Sequence, residues 1–191
     1  MRGHSPSART LSLTLAATVI ALGAVQAGLA RAKTAQVAPP PGIHLRGTAS
    51  CDSAIDYSAT PTFSNVLFDR VALWPSTFVW QMGYDRHRYA RPFHYFGKQG
   101  IDVKAGSGAV WLIVPAAWRN RASLVYGDSS GREGASMVRI KGCSAPEPST
   151  PWLGYPGGFY VRKPLCLPLR VRVGTQSALI RVSLGKACPS G

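Results

Sequence analysis

A chain of 191 residues with 22 Lys and Arg against 8 Asp and Glu carries a net charge of +14. That length suits one domain with a buried core plus a targeting segment, and no more. Eight carboxylates leave few candidates for acid–base catalysis, and the basic excess directs surface ligands towards anions, unless arginine-rich strand faces serve only solubility.

Residues 1–10 hold Arg2 and Arg9 without an acid, residues 11–24 are an apolar run, and Val25-Gln26-Ala27 and Ala30-Arg31-Ala32 offer small-residue cleavage sites. This is the pattern of a secretory signal peptide, 1–32, cleaved after Ala27 or Ala32. An uncleaved anchor, the only route to a membrane partner here, would use residues 11–30, but its alanines and glycines make it only moderately apolar. Cleavage after Ala32 removes Arg2, Arg9 and Arg31 and no acid, taking the charge from +14 to +11. Residues 33–50, with Pro39-Pro40-Pro41-Gly42, read as a flexible linker, and 51–191 as a single β domain.

Short apolar patches at Val66-Leu67-Phe68, Val71-Ala72-Leu73-Trp74 and Phe78-Val79-Trp80 are broken by Asp69-Arg70 and Pro75-Ser76, as short strands would be. The stretch 83–95 is the least core-like. It mixes Arg86, Arg88 and Arg91 with Tyr84, Tyr89, Phe93 and Tyr95 and holds His87 and His94. Such a mixture pairs anions and stacks on rings or sugars. Tyr84, Arg86, His87, Arg88, Tyr89, Arg91 and His94 are therefore the candidate binding residues, for an anionic wall polymer or acidic polysaccharide. Nucleic acid would be attracted by the same chemistry, but export makes it a poor physiological partner. The competing reading has the aromatics cap the domain while the arginines reach into water.

Ile101 to Ala105 alternates, Gly106-Ser107-Gly108 turns, and residues 109–114 are continuously apolar, as a central strand buried on both faces would be. Residues 122–126 and Val138-Arg139-Ile140-Lys141 predict further strands. The run 144–158 holds Pro146, Pro148, Pro151 and Pro156, which argue against regular structure, with Trp152 and Tyr155 packing it down.

The last fifth is the clearest element. Leu165, Leu167, Leu169, Val171 and Val173 share one face of a strand, with Cys166, Pro168, Arg170 and Arg172 on the other; Ala178, Ile180, Val182 and Leu184 restart the pattern opposite Leu179, Arg181 and Ser183. A hairpin with a four-residue loop, Gly174 to Ser177, would pair Val173 with Ala178, Val171 with Ile180, Leu169 with Val182 and Leu167 with Leu184. Pro168 belongs at an edge or bulge. In a regular hairpin Cys166 and Cys188 are out of register and face oppositely, which argues against their pairing. Cys51, Cys143, Cys166 and Cys188 then form two disulfides as Cys51–Cys166 with Cys143–Cys188, or Cys51–Cys188 with Cys143–Cys166, in an oxidising compartment.

Seven or eight short strands without a sustained helical period predict an all-β fold: an antiparallel β-sandwich of immunoglobulin-like size with two disulfides, or a small β-barrel. The residues Gly157-Gly158-Phe159-Tyr160-Val161, Pro164, Cys166, Pro168-Leu169, Val171, Leu184-Gly185 and Cys188, with Val110 to Gly127 and Cys143, resemble a group of small exported actinobacterial proteins. That resemblance covers about half the chain and implies a secreted, disulfide-bonded domain, but no activity or site.

Gly127-Asp128-Ser129-Ser130-Gly131 resembles the nucleophile motif of trypsin-like proteases, and His87 or His94, Asp102 and Ser129 even follow in order. Ser130 replaces a glycine of that motif, however, and the spacings are too short for the two barrels such enzymes need. Five residues of this composition make a turn. Asp85, His87 and His94 could approach a metal, but their spacing matches no metal motif and arginines flank them, so no metal or cofactor is expected. The expectation is a secreted, non-enzymatic binding domain, extracellular or wall-associated. A secreted envelope hydrolase using His87 or His94 is the competing class.

Overall fold

The structure, a computed structural model, describes residues 46–81, 93–130 and 134–189. All belong to the unit Ala38–Gly191. The signal segment, both cleavage sites and most of the linker span lie outside the described residues.

Among the described residues there is no α-helix. In chain order the strands are β1 (Gly47–Ala49), β2 (Asp56–Ser58), β3 (Asn65–Leu67), β4 (Val71–Leu73), β5 (Ser76–Thr77), β6 (Trp80–Gln81), β7 (Tyr95–Lys98), β8 (Ile101–Lys104), β9 (Val110–Ile113), β10 (Ala122–Tyr126), β11 (Met137–Ile140), β12 (Trp152–Tyr155), β13 (Gly157–Val161), β14 (Leu165–Val173) and β15 (Gln176–Leu184). These exceed the seven or eight expected, because strands of two or three residues are too short to show a period.

They form three sheets, ordered β1-β11-β9-β14-β15-β5, β10-β13-β7-β6 and β2-β12-β8-β4-β3. Pairing is antiparallel except at the two edges of the six-stranded sheet, where β1 joins β11 and β5 joins β15 in parallel. Leu112, Leu167, Leu169 and Val171 from the first sheet, Leu124 and Phe159 from the second, and Val71, Ile101 and Val103 from the third are buried in one core. The fold is thus an all-β sandwich. At roughly 25 cal/mol per Å² of apolar surface, that shared core is the main favourable term in its stability.

The hairpin β14–β15 forms with the predicted faces but a tighter turn. Val173 pairs with Gln176, Val171 with Ala178, Leu169 with Ile180 and Leu167 with Val182. Gly174, at φ +56, and Thr175 make a two-residue loop of the II′ kind, whose twist matches that of the strands. A shift of two residues leaves every side chain on its expected face. Pairing of β14 with β9 covers only Arg170 to Val173, so Pro168 lies where β14 has β15 as its sole partner and no ladder bond is lost.

The disulfides are Cys51–Cys143 and Cys166–Cys188. Cys166 and Cys188, expected to face oppositely, are able to bond because strand parity ends at Leu184. Gly185 takes φ +66, a value suited to glycine, and turns the chain back across the outer face of the hairpin. There the Cys188 Cα comes within 4.9 Å of that of Cys166. Cys51–Cys143 instead ties the start of the domain to the segment after β11.

Other expectations need correction. β1 lies within the span read as linker, and its Gly47 and Ala49 are buried beside β11. The proline-rich run contains β12, bracketed by Pro151 and Pro156 and paired on both sides, to β2 and β8. β9 is central but buried on one face only, leaving Trp111 and Ile113 partly exposed, whereas all five residues of β10 are buried.

Candidate functional site

Six of the seven expected binding residues, Tyr84, Arg86, His87, Arg88, Tyr89 and Arg91, lie outside the described residues, as does Asp85. The seventh, His94, is exposed, and its backbone N–H donates to the Val161 carbonyl at 3.1 Å. Its neighbour Phe93 is buried and stacks on Tyr160 with centroids 6.5 Å apart, so this aromatic serves packing.

The protease-like loop is structural. Ser129 lies in a 3-10 turn, Gly127–Ser130, and is buried. Its Oγ accepts the Tyr126 N–H at 2.9 Å and donates to the Tyr126 carbonyl, while Asp128 Oδ1 accepts the Thr48 N–H. The hydroxyl's proton and an acceptor lone pair are committed to closing the turn, and Asp128 holds β1, so Ser129 is not an available nucleophile. Among the described residues no three His, Cys, Asp or Glu are grouped to hold a metal ion.

Cations collect instead on the outer face of the six-stranded sheet. Alternation places Arg139 of β11, Arg170 and Arg172 of β14 and Arg181 of β15 on that face, and β9, β11, β14 and β15 contain no Asp or Glu. Trp111 pairs directly with Arg139 on one side and Arg172 on the other. Their guanidinium carbons stand 5.8 and 5.5 Å from its ring centroid. The indole is thus a platform between two cations, held within cation–π range.

This face runs into a groove of about 1060 Å³ beside the hairpin. One wall is the outer side of β14 and β15, with Cys166, Pro168, Leu179 and Arg181. The turn after β9 presents Trp118 and Arg121, the β13–β14 connection presents Arg162 and Lys163, and the tail beyond Gly185 adds Lys186. Arg121 lies over the Trp118 ring at 5.1 Å, and the Arg162 N–H donates to the Arg121 carbonyl at 3.0 Å, joining the two connections. Leu179, 59 % exposed, supplies an apolar contact point. Arg121, Arg162, Lys163, Arg181 and Lys186 face the groove without a carboxylate among its lining residues.

Like charges gathered in a concavity repel one another and are relieved by an anion, which their field, focused by the concavity, attracts. Half of this arrangement was visible as the wet face of the hairpin. Trp118, Arg121, Arg162 and Lys163 come from connections distant in sequence, and Lys186 from a tail whose return depends on the disulfide.

Compared with protein-family models and with curated proteins, the chain matches none. Two disulfides stabilise the fold, and no helix of the described residues is long and apolar enough to cross a membrane.

Proposed function

We propose that this is a secreted, non-enzymatic domain that binds an anionic extracellular or cell-wall polymer across the outer face of its six-stranded sheet and the adjoining groove. The observation that carries the reading is the run of arginines around Trp111, on strands without a single acid, continued by the arginines and lysines of the connections that wall the groove beside Trp118. Guanidinium groups pair phosphate, sulfate or carboxylate bidentately, and the indoles offer flat apolar surface to a polymer's rings. Of the expected binding set in the stretch 84–95, only His94 lies among the described residues, beside the four-stranded sheet and outside the groove lining. Export, from the signal-like N-terminus and the disulfides, makes envelope material the relevant polyanion and nucleic acid an incidental one.

The test is retention of the mature protein on immobilised dextran sulfate, polyphosphate and polygalacturonate at rising salt. Retention should be strong at low salt and fall steeply, since screening weakens exposed charge pairs. Replacing Arg170, Arg172 and Arg181 together by Ala should lower the salt needed for elution on whichever polymer is preferred. Unchanged elution of that triple variant would refute the site. The three matrices separate sulfate, phosphate and carboxylate recognition.

A further inference from the structure

A second concavity, on the five-stranded sheet, has the opposite character. Register places Asp56 of β2, Gly154 of β12 and Asp102 of β8 in one row across three strands. Glycine leaves the middle of that row bare: a Cβ at Gly154 would stand 3.1 Å from Asp56 Cβ and 3.4 Å from Asp102 Oδ1. The two acids therefore flank the glycine, near enough for the charge of Asp56 to act on Asp102, while Asp56 Oδ1 accepts the Tyr57 N–H at 2.9 Å. A cleft of about 310 Å³ opens there, and Phe63 and Trp74 form its apolar side, meeting edge to face with centroids 5.2 Å apart. Trp74 is 48 % exposed, so an occupant could lie against it.

The polar groups around this cleft are mostly acceptors. Asp102, 3 % exposed, accepts hydrogen bonds from the Thr62 N–H, the Thr62 side chain and the Phe63 N–H, but pairs with no cation among the described ion pairs. Burial holds its carboxyl above the ordinary value, and the charge of Asp56 adds to that shift. Gln99, 2 % exposed, donates its Nε2 to the Trp74 carbonyl and leaves Oε1 without a partner. A buried carboxylate without a counter-charge and a buried carbonyl oxygen without a donor are both costly. Lys98 also lines the cleft, but it is exposed.

We infer that this cleft binds a primary alkylammonium group, its charge set against Asp56 and Asp102, its third donor available to Gln99, and its methylene chain laid along Trp74. An ammonium brings a positive charge with three donors and no acceptor, which matches two carboxylates without a counter-charge and the unpartnered Gln99 Oε1. Aromatic faces attract a cation as well as its alkyl stem. A hydroxylated ring would bring acceptors along with its donors and leave the carboxylates without a counter-charge. The cleft is thus a site for a protonated amine, separate from the basic groove and opposite in sign.

The probe is n-butylammonium, titrated into the full mature chain at neutral pH and followed by the Trp74 indole and Gln99 side-chain amide resonances. Both should shift saturably, while 1-butanol and glucose at equal concentration leave them in place. Asp56→Asn, at an exposed position, should weaken binding roughly tenfold, the loss of one partly exposed charge contact. Gly154→Ala, which fills the space between the carboxylates, should weaken it as well, and Arg181→Ala in the basic groove should not. Equal shifts with butanol, shifts with glucose, no saturable shift with the amine, or full binding by Asp56→Asn would each overturn the assignment.

Discussion

Cys188 donates its backbone N–H to the Oγ of Ser183 at 3.0 Å, so the residue that closes the hairpin's disulfide is also held by the strand the chain has just left. Arg181 adds a second tie, from its guanidinium to the Pro189 carbonyl at 3.1 Å. These contacts keep the tail, with Lys186, against the groove. Cys166→Ser with Cys188→Ser should cost about 3.4 kcal/mol in the chain-entropy picture for a separation of 22 residues. Removing Cys51–Cys143, with a separation of 92, should cost more, about 4.6 kcal/mol. Urea titration gives both numbers, and only the first variant should also elute earlier from the polyanion matrix. Equal early elution of both variants would show that the tail has no special part in binding.

Ser129 offers a test of the protease-like motif. A fluorophosphonate that labels activated serines should leave the folded protein unlabelled, because the hydroxyl is buried and engaged by both the N–H and the carbonyl of Tyr126. Ser129→Ala should instead destabilise by about 1–3 kcal/mol, the usual cost of leaving buried backbone groups unpaired. Thermal unfolding measures the loss. Labelling at Ser129 in the native state would reopen the serine-protease reading of that motif.

Period-two patterning made the faces of the hairpin legible, because alternation assigns parity without reference to any partner. It could not choose between two registers differing by two residues, since both satisfy it; Gly174, able to take positive φ, decided for the tighter turn. Parity also misled beyond Gly185, where the chain is no longer a strand and the disfavoured Cys166–Cys188 bond forms. β12 was obscured by its prolines, although Pro151 and Pro156 fall outside the strand and cost it no ladder bond. The basic face was half visible in Arg170, Arg172 and Arg181. Its other half, and the meeting of Asp56 with Asp102, depend on strands and connections joined only by tertiary pairing. Of the seven expected binding residues, His94 alone lies among the described residues.

Trp111 should behave as a support shared between two cations. Trp111→Ala frees both Arg139 and Arg172 from the ring, and each exposed cation–π contact is worth about 0.5–1 kcal/mol. Its total cost should exceed that of Arg139→Ala or Arg172→Ala alone, since the indole also covers the outer side of β9 between β11 and β14. Differential denaturation of the three variants checks the order. A Trp111→Ala variant as stable as the parent would mean that the ring contributes nothing to the sheet.

Asp102 predicts a pH dependence of defined sign. Burial raises its folded pKa above 3.8, so the folded protein holds this proton more tightly than the unfolded chain does. Stability contributed by the group is therefore fully present below its unfolded pKa and is lost as pH rises through the raised folded value. Asn at this position keeps an oxygen for the Thr62 N–H and cannot ionise. The melting temperature of the parent minus that of Asp102→Asn should therefore fall as pH climbs from below 3.8 into the window just above it, then level off. A saturating alkylammonium ligand should offset part of that fall by supplying the missing counter-charge. A difference that rises with pH over the same window would mean that Thr62 and Phe63, as hydrogen-bond donors to the carboxylate, outweigh its burial and hold the folded pKa below the unfolded one.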